Sequence, residues 1–256
     1  MPPNFAEYYD AVINWEKRLG REMPLLEELA RSAGPRVLVP ACGTGGHVAA
    51  LAERGFSVLG FDADEDMVAF ARQRIHHKAD VISAAGSEAK VSLLRMEQGG
   101  ELGPTHDAAF CLGNALPGIS GEGKLLAALE GIAGALRAGG ILLTQNLNYD
   151  LRWKEKAHWF PLLAGETAKE EVLLVKFADY EQEAVNFHTM FLVREKAGAK
   201  WQSHVKSSRQ IPLFHNLLAQ LLPRAGFGKV RYWGDYVKSP FDSAKSNDLL
   251  VAAEKL

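Results

Sequence analysis

The chain has 256 residues, with 29 Lys and Arg against 31 Asp and Glu, a formal net charge of −2, 47% apolar and 23% charged residues. Those figures suit a globular protein of one large domain or a domain plus subdomain, exclude disorder and low complexity, and argue against binding nucleic acid by phosphate neutralisation. Cys42 and Cys111 form neither a disulfide framework nor a zinc spacing, and the start Met-Pro-Pro-Asn-Phe-Ala-Glu is not that of a secretory leader; a cytoplasmic protein without membrane association or bound metal is expected.

From Phe5 to Arg31 apolar residues recur at helical spacing (Tyr9, Val12, Leu19, Met23, Leu26, Leu29), predicting one or two amphipathic helices ended by Pro35. Residues 36–41 read as a buried strand running into Cys42-Gly-Thr-Gly-Gly46. A helix over 47–54 and a second buried strand over 56–61 follow. Asp64 is placed to cap a helix that turns Met67, Phe70, Ala71 and Ile75 to one face. Short strands at 91–95 and 107–112 precede a helix over 121–137, which Gly139-Gly140 is expected to stop before a strand at 141–145. Three segments rich in Val, Phe and Leu (171–179, 185–195 and 200–206) read as antiparallel strands. A last helix at 213–225 and strands at 229–233 and 248–253 complete the chain. Strands alternating with helices imply right-handed parallel units and a doubly wound α/β sheet covered on both faces, with an antiparallel insertion.

On such a sheet a ligand binds beyond the carboxyl ends of the strands, beside the first one. The loop there, Ala41-Cys-Gly-Thr-Gly-Gly46, lets the backbone turn tightly and offers the free N–H groups of a helix start. Asp62, 21 positions after Ala41, ends the second strand, where a carboxylate can accept from both hydroxyls of a ribose. Read as Ala41-x-Gly43-x-x-Gly46 the loop is a dinucleotide fingerprint; read as Ala41-x-Gly43-x-Gly45 it suits S-adenosylmethionine. The loop alone decides neither, nor does it exclude a turn with no ligand.

Val37-Leu-Val-Pro-Ala-Cys-Gly-Thr-Gly45 and Phe56-Ser-Val-Leu-Gly-Phe-Asp-Ala63 resemble motifs I and II of class I S-adenosylmethionine-dependent methyltransferases. Cys111-Leu-Gly-Asn114 and Asn148-Tyr-Asp150 are similar to the glycine N-methyltransferase-like branch. The resemblance is strong over residues 36–150 and mainly architectural beyond. It implies a Rossmann-like, mostly parallel seven-stranded sheet with a reversed last strand. It further implies an N-terminal helical segment, 1–35, over the cofactor site, a core of 36–150 and 207–256, and an insertion at 151–206 that covers the acceptor. One departure stands out: Val39 occupies the position where the family commonly has an acidic residue, and Pro40 beside it can stiffen the turn.

Carried over residue by residue, the resemblance implies cofactor contacts at Ala41, Cys42, Gly43, Gly45, Asp62 and Ala63. It adds Met67, Met96 and Glu97 around an adenine, and Leu112 and Gly113 at the reaction end. Tyr9, Trp15 and Arg18, with Tyr8 nearby, would meet the methionine end, Arg18 pairing its carboxylate bidentately. Asn114, which can donate and accept, and Tyr149 are the catalytic candidates. His47 reads as an exposed residue at a helix start. Methyl transfer to a small molecule is the expected activity, N-methylation ahead of O-methylation. Glycine is expected to be a poor acceptor, because the Arg that grips its carboxylate in the glycine-methylating enzymes is Leu147 here. A nicotinamide-dependent oxidoreductase, an RNA methyltransferase and a non-catalytic S-adenosylmethionine-binding protein are the alternatives. The oligomeric state is not legible in the sequence.

Overall fold

The computed structural model describes residues 4–198 and 200–256; Met1-Pro2-Pro3, the start of the N-terminal segment read above, lie outside them. Two helices, α1 (Phe5–Val12) and α2 (Trp15–Ala33), open the chain, each capped by an asparagine. Asn4 accepts from the Glu7 N–H and Asn14 from the Lys17 N–H, satisfying amides that the helix itself leaves bare. A seven-stranded sheet follows, made of β1 (Arg36–Pro40), β2 (Ser57–Asp62), β3 (Ala89–Leu93), β4 (His106–Cys111), β5 (Leu136–Leu147), β10 (Phe227–Trp233) and β11 (Asp248–Lys255), in the order β10-β11-β5-β4-β1-β2-β3. The five strands from β1 to β5 pair in parallel, whereas β11 runs antiparallel to both β5 and β10.

Alternate residues of each central strand enter different cores. Val37, Val39, Phe110, Leu250 and Ala252 pack with Leu26 and Leu29 of α2, and with Val48 and Leu51 of α3 (Gly46–Ala52). Leu38, Ala109, Cys111, Leu249 and Val251 pack instead with Leu125, Leu129 and Ile132 of α6 (Glu122–Ala135), and with Leu218 and Leu222 of α8 (His215–Arg224). Both faces of the sheet are therefore buried, which is why the strands read as continuous apolar runs. Two further helices, α4 (Glu65–His77) and α5 (Ala79–Ala84), link β2 to β3. Asp64 does cap α4, accepting from the Asp66 and Met67 amides.

Several local expectations are corrected. Gly139-Gly140 do not stop the helix: α6 already ends at Ala135, and the glycines lie inside β5, where the pairing with β4 shifts register and Gly139 takes φ +73°. The third strand lies two residues earlier than read, because Ala89 and Lys90 pair with Val58 and Leu59. The insertion has four strands, not three: β6 (Leu163–Glu166), β7 (Glu170–Tyr180), β8 (Val185–Glu195) and β9 (Gln202–Gln210) form a separate antiparallel sheet. A short helix, α7 (Tyr149–Glu155), precedes it, capped by Asn148. Tyr8 and Val12 of α1 pack on Val172, Leu174, Phe191 and Val193 of this second sheet. The approach is close enough that a Cβ on Gly165 would lie 1.9 Å from the Ala11 carbonyl oxygen. Helix α1 is thus the joint between the second sheet and the mouth of the first.

Candidate active site

The loop after β1 is built from left-handed turns. Ala41, Gly43 and Gly45 have φ of +51°, +54° and +77°, and Gly45 is the N-cap of α3. The Cys42 amide donates to Phe61 O (3.0 Å), the Gly43 amide to Asp62 Oδ2 (2.8 Å) and the Asp64 amide to Asp62 Oδ1 (3.1 Å). Asp62 therefore shapes the loop across from it while keeping acceptor capacity, since a carboxylate offers about four lone-pair sites. Burial raises its carboxyl above the ordinary value, against those two N–H bonds. The second glycine of the pair serves packing: a Cβ on Gly46 would lie 2.2 Å from the Trp15 ring.

Helices α1 and α2 roof the loop. Asp10 accepts from Trp15 Nε1 and Thr44 Oγ1, both at 2.8 Å, and also pairs with Arg74 of α4, so one carboxylate fastens α1 to the glycine loop and its neighbour helix. Arg18 lies over the Trp15 ring at 5.3 Å and donates to the Tyr9 hydroxyl at 3.4 Å. Glu22, 1% exposed, accepts from Arg18 Nε (3.2 Å), Arg21 (2.8 Å) and His47 Nε2 (2.7 Å). Burial alone would raise the Glu22 carboxyl, but His47, Arg18 and Arg21 together hold it down at about 2. His47 is buried, with 5% exposure, which corrects its reading as an exposed helix start; burial lowers its ring below the ordinary value, so it is neutral at pH 7.

On the opposite side the Gly113 amide donates to Gln145 Oε1 (2.8 Å), whose own amide donates to Asp248 Oδ1 (2.9 Å). Asn114, at φ +62°, accepts from the Leu147 amide (2.9 Å) and reaches the Tyr149 hydroxyl (3.4 Å). That hydroxyl donates to Gln210 Oε1 at the end of β9 (2.8 Å). Tyr149 is 2% exposed, and burial pushes its phenol up to about 12.

These walls enclose a cavity of about 240 Å³ at the carboxyl end of β1. Of the residues read from the sequence, it brings together Tyr9, Trp15, Arg18, Ala41, Cys42, Gly43, Asp62, Met67, Leu112 and Gly113. Gly45, Ala63, Met96 and Glu97 do not line it. Gly45 turns toward α4, where a Cβ would meet Ala71 at 2.8 Å. Ala63 and Glu97 are exposed, and the 3-10 turn holding Met96 packs against Gly131 of α6. Asn114 and Tyr149 lie beside the cavity rather than on its wall. Val39, Thr44, His47, Asp64 and Ala115 complete the lining and were not singled out as contacts. Glu22, behind them, was also missed, though it falls in phase with Leu19, Leu26 and Leu29 on the apolar stripe of α2, where a carboxylate needs a reason to be.

The donor set fits S-adenosylmethionine: an acceptor at Asp62 for a ribose, open backbone at Gly43, where a Cβ would meet nothing within 4 Å, and a guanidinium at the far end. A methyltransferase-domain family model matches residues 37–140. The chain is 26% identical over 235 residues to a glycine/sarcosine N-methyltransferase of Aphanothece halophytica, covering 91% of this chain and 81% of that one. It is 34% identical over 131 residues to the glycine N-methyltransferase of Rattus norvegicus, covering 49% and 45%. Among solved structures, an S-adenosylmethionine-dependent methyltransferase from Clostridium acetobutylicum shares the fold with TM-score 0.73 at 12% identity, covering 95% and 92%. An amino pentose methyltransferase from Micromonospora echinaspora does so with TM-score 0.65 at 20% identity, again covering 95% and 92%.

Proposed function

We infer that the chain is a class I S-adenosylmethionine-dependent methyltransferase of the glycine N-methyltransferase-like branch, and propose that it methylates the nitrogen of a small-molecule acceptor held between Gly113 and the second sheet. The observation that carries this reading is the cavity itself, which joins the glycine loop, Asp62 and Arg18 to the Gly113 turn. When bound, the cofactor supplies an electrophilic methyl group on a sulfonium. The chain's own residues supply placement and exclusion of water. Asp62 holds the ribose hydroxyls, and Arg18, fixed by Trp15 and Glu22, holds the carboxylate. With its phenol pushed up to about 12, Tyr149 stays protonated at pH 7 and acts as a hydrogen-bond donor, not as a base. Asn114 and Tyr149 together tie the Gly113 turn to Gln210 of β9, so that a continuous chain of hydrogen bonds joins the reaction end to the cover. A neutral amine needs no strong base to attack, so neither Asn114 nor Tyr149 has to act as one. The division into an N-terminal roof (1–35), a core (36–150 and 207–256) and a cover (151–206) belongs to the same proposal.

The names of the relatives point to glycine and sarcosine, and Leu147 argues against glycine. Leu147 ends β5 opposite Asp248 and packs in the apolar cluster around Tyr149. An aliphatic wall there cannot pair a carboxylate, and burying one unpaired costs several kcal/mol. Arg152 is the nearby alternative: it sits over the Phe160 ring at 4.8 Å, forms no ion pair among the described residues, and its Nε is buried without a partner. Purified protein supplied with labelled cofactor is expected to methylate neutral amines faster than glycine, sarcosine or phenols. Glycine turnover at low-millimolar concentration matching the best neutral amine would overturn the acceptor reading. Leu147→Arg is expected to shift preference toward carboxylates by about 10-fold, the scale of one charge-assisted hydrogen bond; an unchanged ratio would place Leu147 away from the acceptor.

In calorimetry, S-adenosylhomocysteine is expected to bind and NAD not to. The family's reversed β11 and the Gly113 turn accompany the former cofactor and distinguish the two readings of the glycine loop. Saturable NAD binding would revive the oxidoreductase alternative.

A further inference from the structure

The cavity's far end raises a charge problem. Val39, which lines it, is apolar, yet the Arg18 guanidinium and the His47 ring both converge there. Among the described residues Glu22 is the carboxylate that bonds to either of them, and it bonds to both. It reaches His47 from 25 positions away in sequence and is itself shut off from solvent.

On the cofactor reading given above, we propose that Glu22 is the positioning residue for the amino-acid end of the cofactor, holding Arg18 and His47 in place from helix α2.

Three consequences of the geometry support this. An ionised carboxylate only accepts, so the 2.7 Å contact makes His47 Nε2 the N–H nitrogen and leaves Nδ1 as an acceptor. Arg18 spends Nε on Glu22, which frees its two terminal nitrogens. One is at the Tyr9 hydroxyl, and the other lies 3.3 Å from where a Cβ on Gly113 would stand. Both terminal nitrogens therefore border the cavity between Tyr9 and Gly113, arranged as a fork for a carboxylate. Trp15 completes the mount, lying under Arg18 at 5.3 Å and edge-on to His47 at 5.6 Å. A carboxylate-binding fork and a bare imidazole acceptor are the complement of a zwitterionic amino acid, and one buried glutamate sets the orientation of both. The proposal is independent of which acceptor is methylated.

Calorimetry with two ligands separates positioning from general support. S-adenosylhomocysteine carries the amino-acid end; 5′-methylthioadenosine keeps the adenosine and the thioether but lacks it. Glu22→Gln, which keeps the shape and removes the charge, is expected to weaken S-adenosylhomocysteine by about 10-fold or more while leaving 5′-methylthioadenosine within about twofold, on the scale of a lost charge-assisted bond. Combined with Arg18→Gln, it is expected to add little to the loss from Arg18→Gln alone, because Glu22 acts largely through that side chain. Equal weakening of both ligands would reduce Glu22 to a structural residue, and unchanged S-adenosylhomocysteine affinity would overturn the proposal. If Glu22→Gln does not fold, Glu22→Asp keeps the charge and withdraws it by one methylene. The same selective weakening is expected there, and wild-type affinity for both ligands would overturn the proposal.

Discussion

Asp62→Ala is expected to weaken binding of S-adenosylhomocysteine by about 10–100-fold, the effect of losing hydrogen bonds to a charged acceptor worth about 1.5–3 kcal/mol. The structure adds a second cost. Asp62 also accepts the Gly43 amide at 2.8 Å, so alanine leaves that loop N–H without its partner and frees the turn that approaches the ligand. Asp62→Asn separates the two effects, since its amide oxygen can still accept from Gly43 while the charge is gone; an intermediate loss is expected. Titration calorimetry of the three proteins at one salt concentration measures the series. Full affinity in the alanine variant would leave Asp62 as a loop-shaping residue with no part in binding. Glu97→Ala is the control: that side chain is exposed on a 3-10 turn outside the cavity wall, where water can replace it, and its removal is expected to change affinity less than twofold.

The contrast between Asp62 and Glu97 shows what the sequence carried and what it did not. Residues 36–62 were legible because local rules act in phase there: an apolar strand, a loop demanding positive φ at glycines, and a strand-end acid at fixed distance. The same local rules located the cap at Asp64. What escaped was chemistry spread across elements. Asp10, Glu22 and His47 matter through partners on other helices, and no spacing rule links position 22 to position 47. The edges of β3 and β5 escaped for a related reason, because pairing with β2 and β4 sets them, not their own composition. β6, which alternates between half-buried and exposed, went unread, and β9, which is largely exposed, was read only over its first half; both left a weaker imprint than the buried runs of β1 and β4.

Glu22→Leu is expected to destabilise the fold at pH 7 by about 3–5 kcal/mol, the usual cost of breaking a buried ion pair from one side. Arg21 is largely exposed and can turn to water, but Arg18 and His47 cannot, and they bear the loss. The effect has a signed pH dependence. Glu22 is held at about 2 in the folded protein against an ordinary value of 4.5. Its contribution, about 3 kcal/mol by linkage, is therefore complete above pH 4.5 and disappears as the pH falls toward 2. His47 acts in a different window: buried and neutral, it resists the proton that the unfolded chain takes up below about 6.5, and Glu22 eases that resistance. Tyr236 and Asp248, whose side chains feel Glu22 from the β10–β11 side, are both shifted upward by burial and keep no additional negative charge near it in acid. In urea denaturation the gap between wild type and Glu22→Leu should therefore hold or widen slightly from pH 7 to pH 5 and then collapse between pH 4.5 and pH 2. A gap independent of pH would mean that leucine disrupts packing alone, and that the carboxylate under the roof contributes shape, not charge.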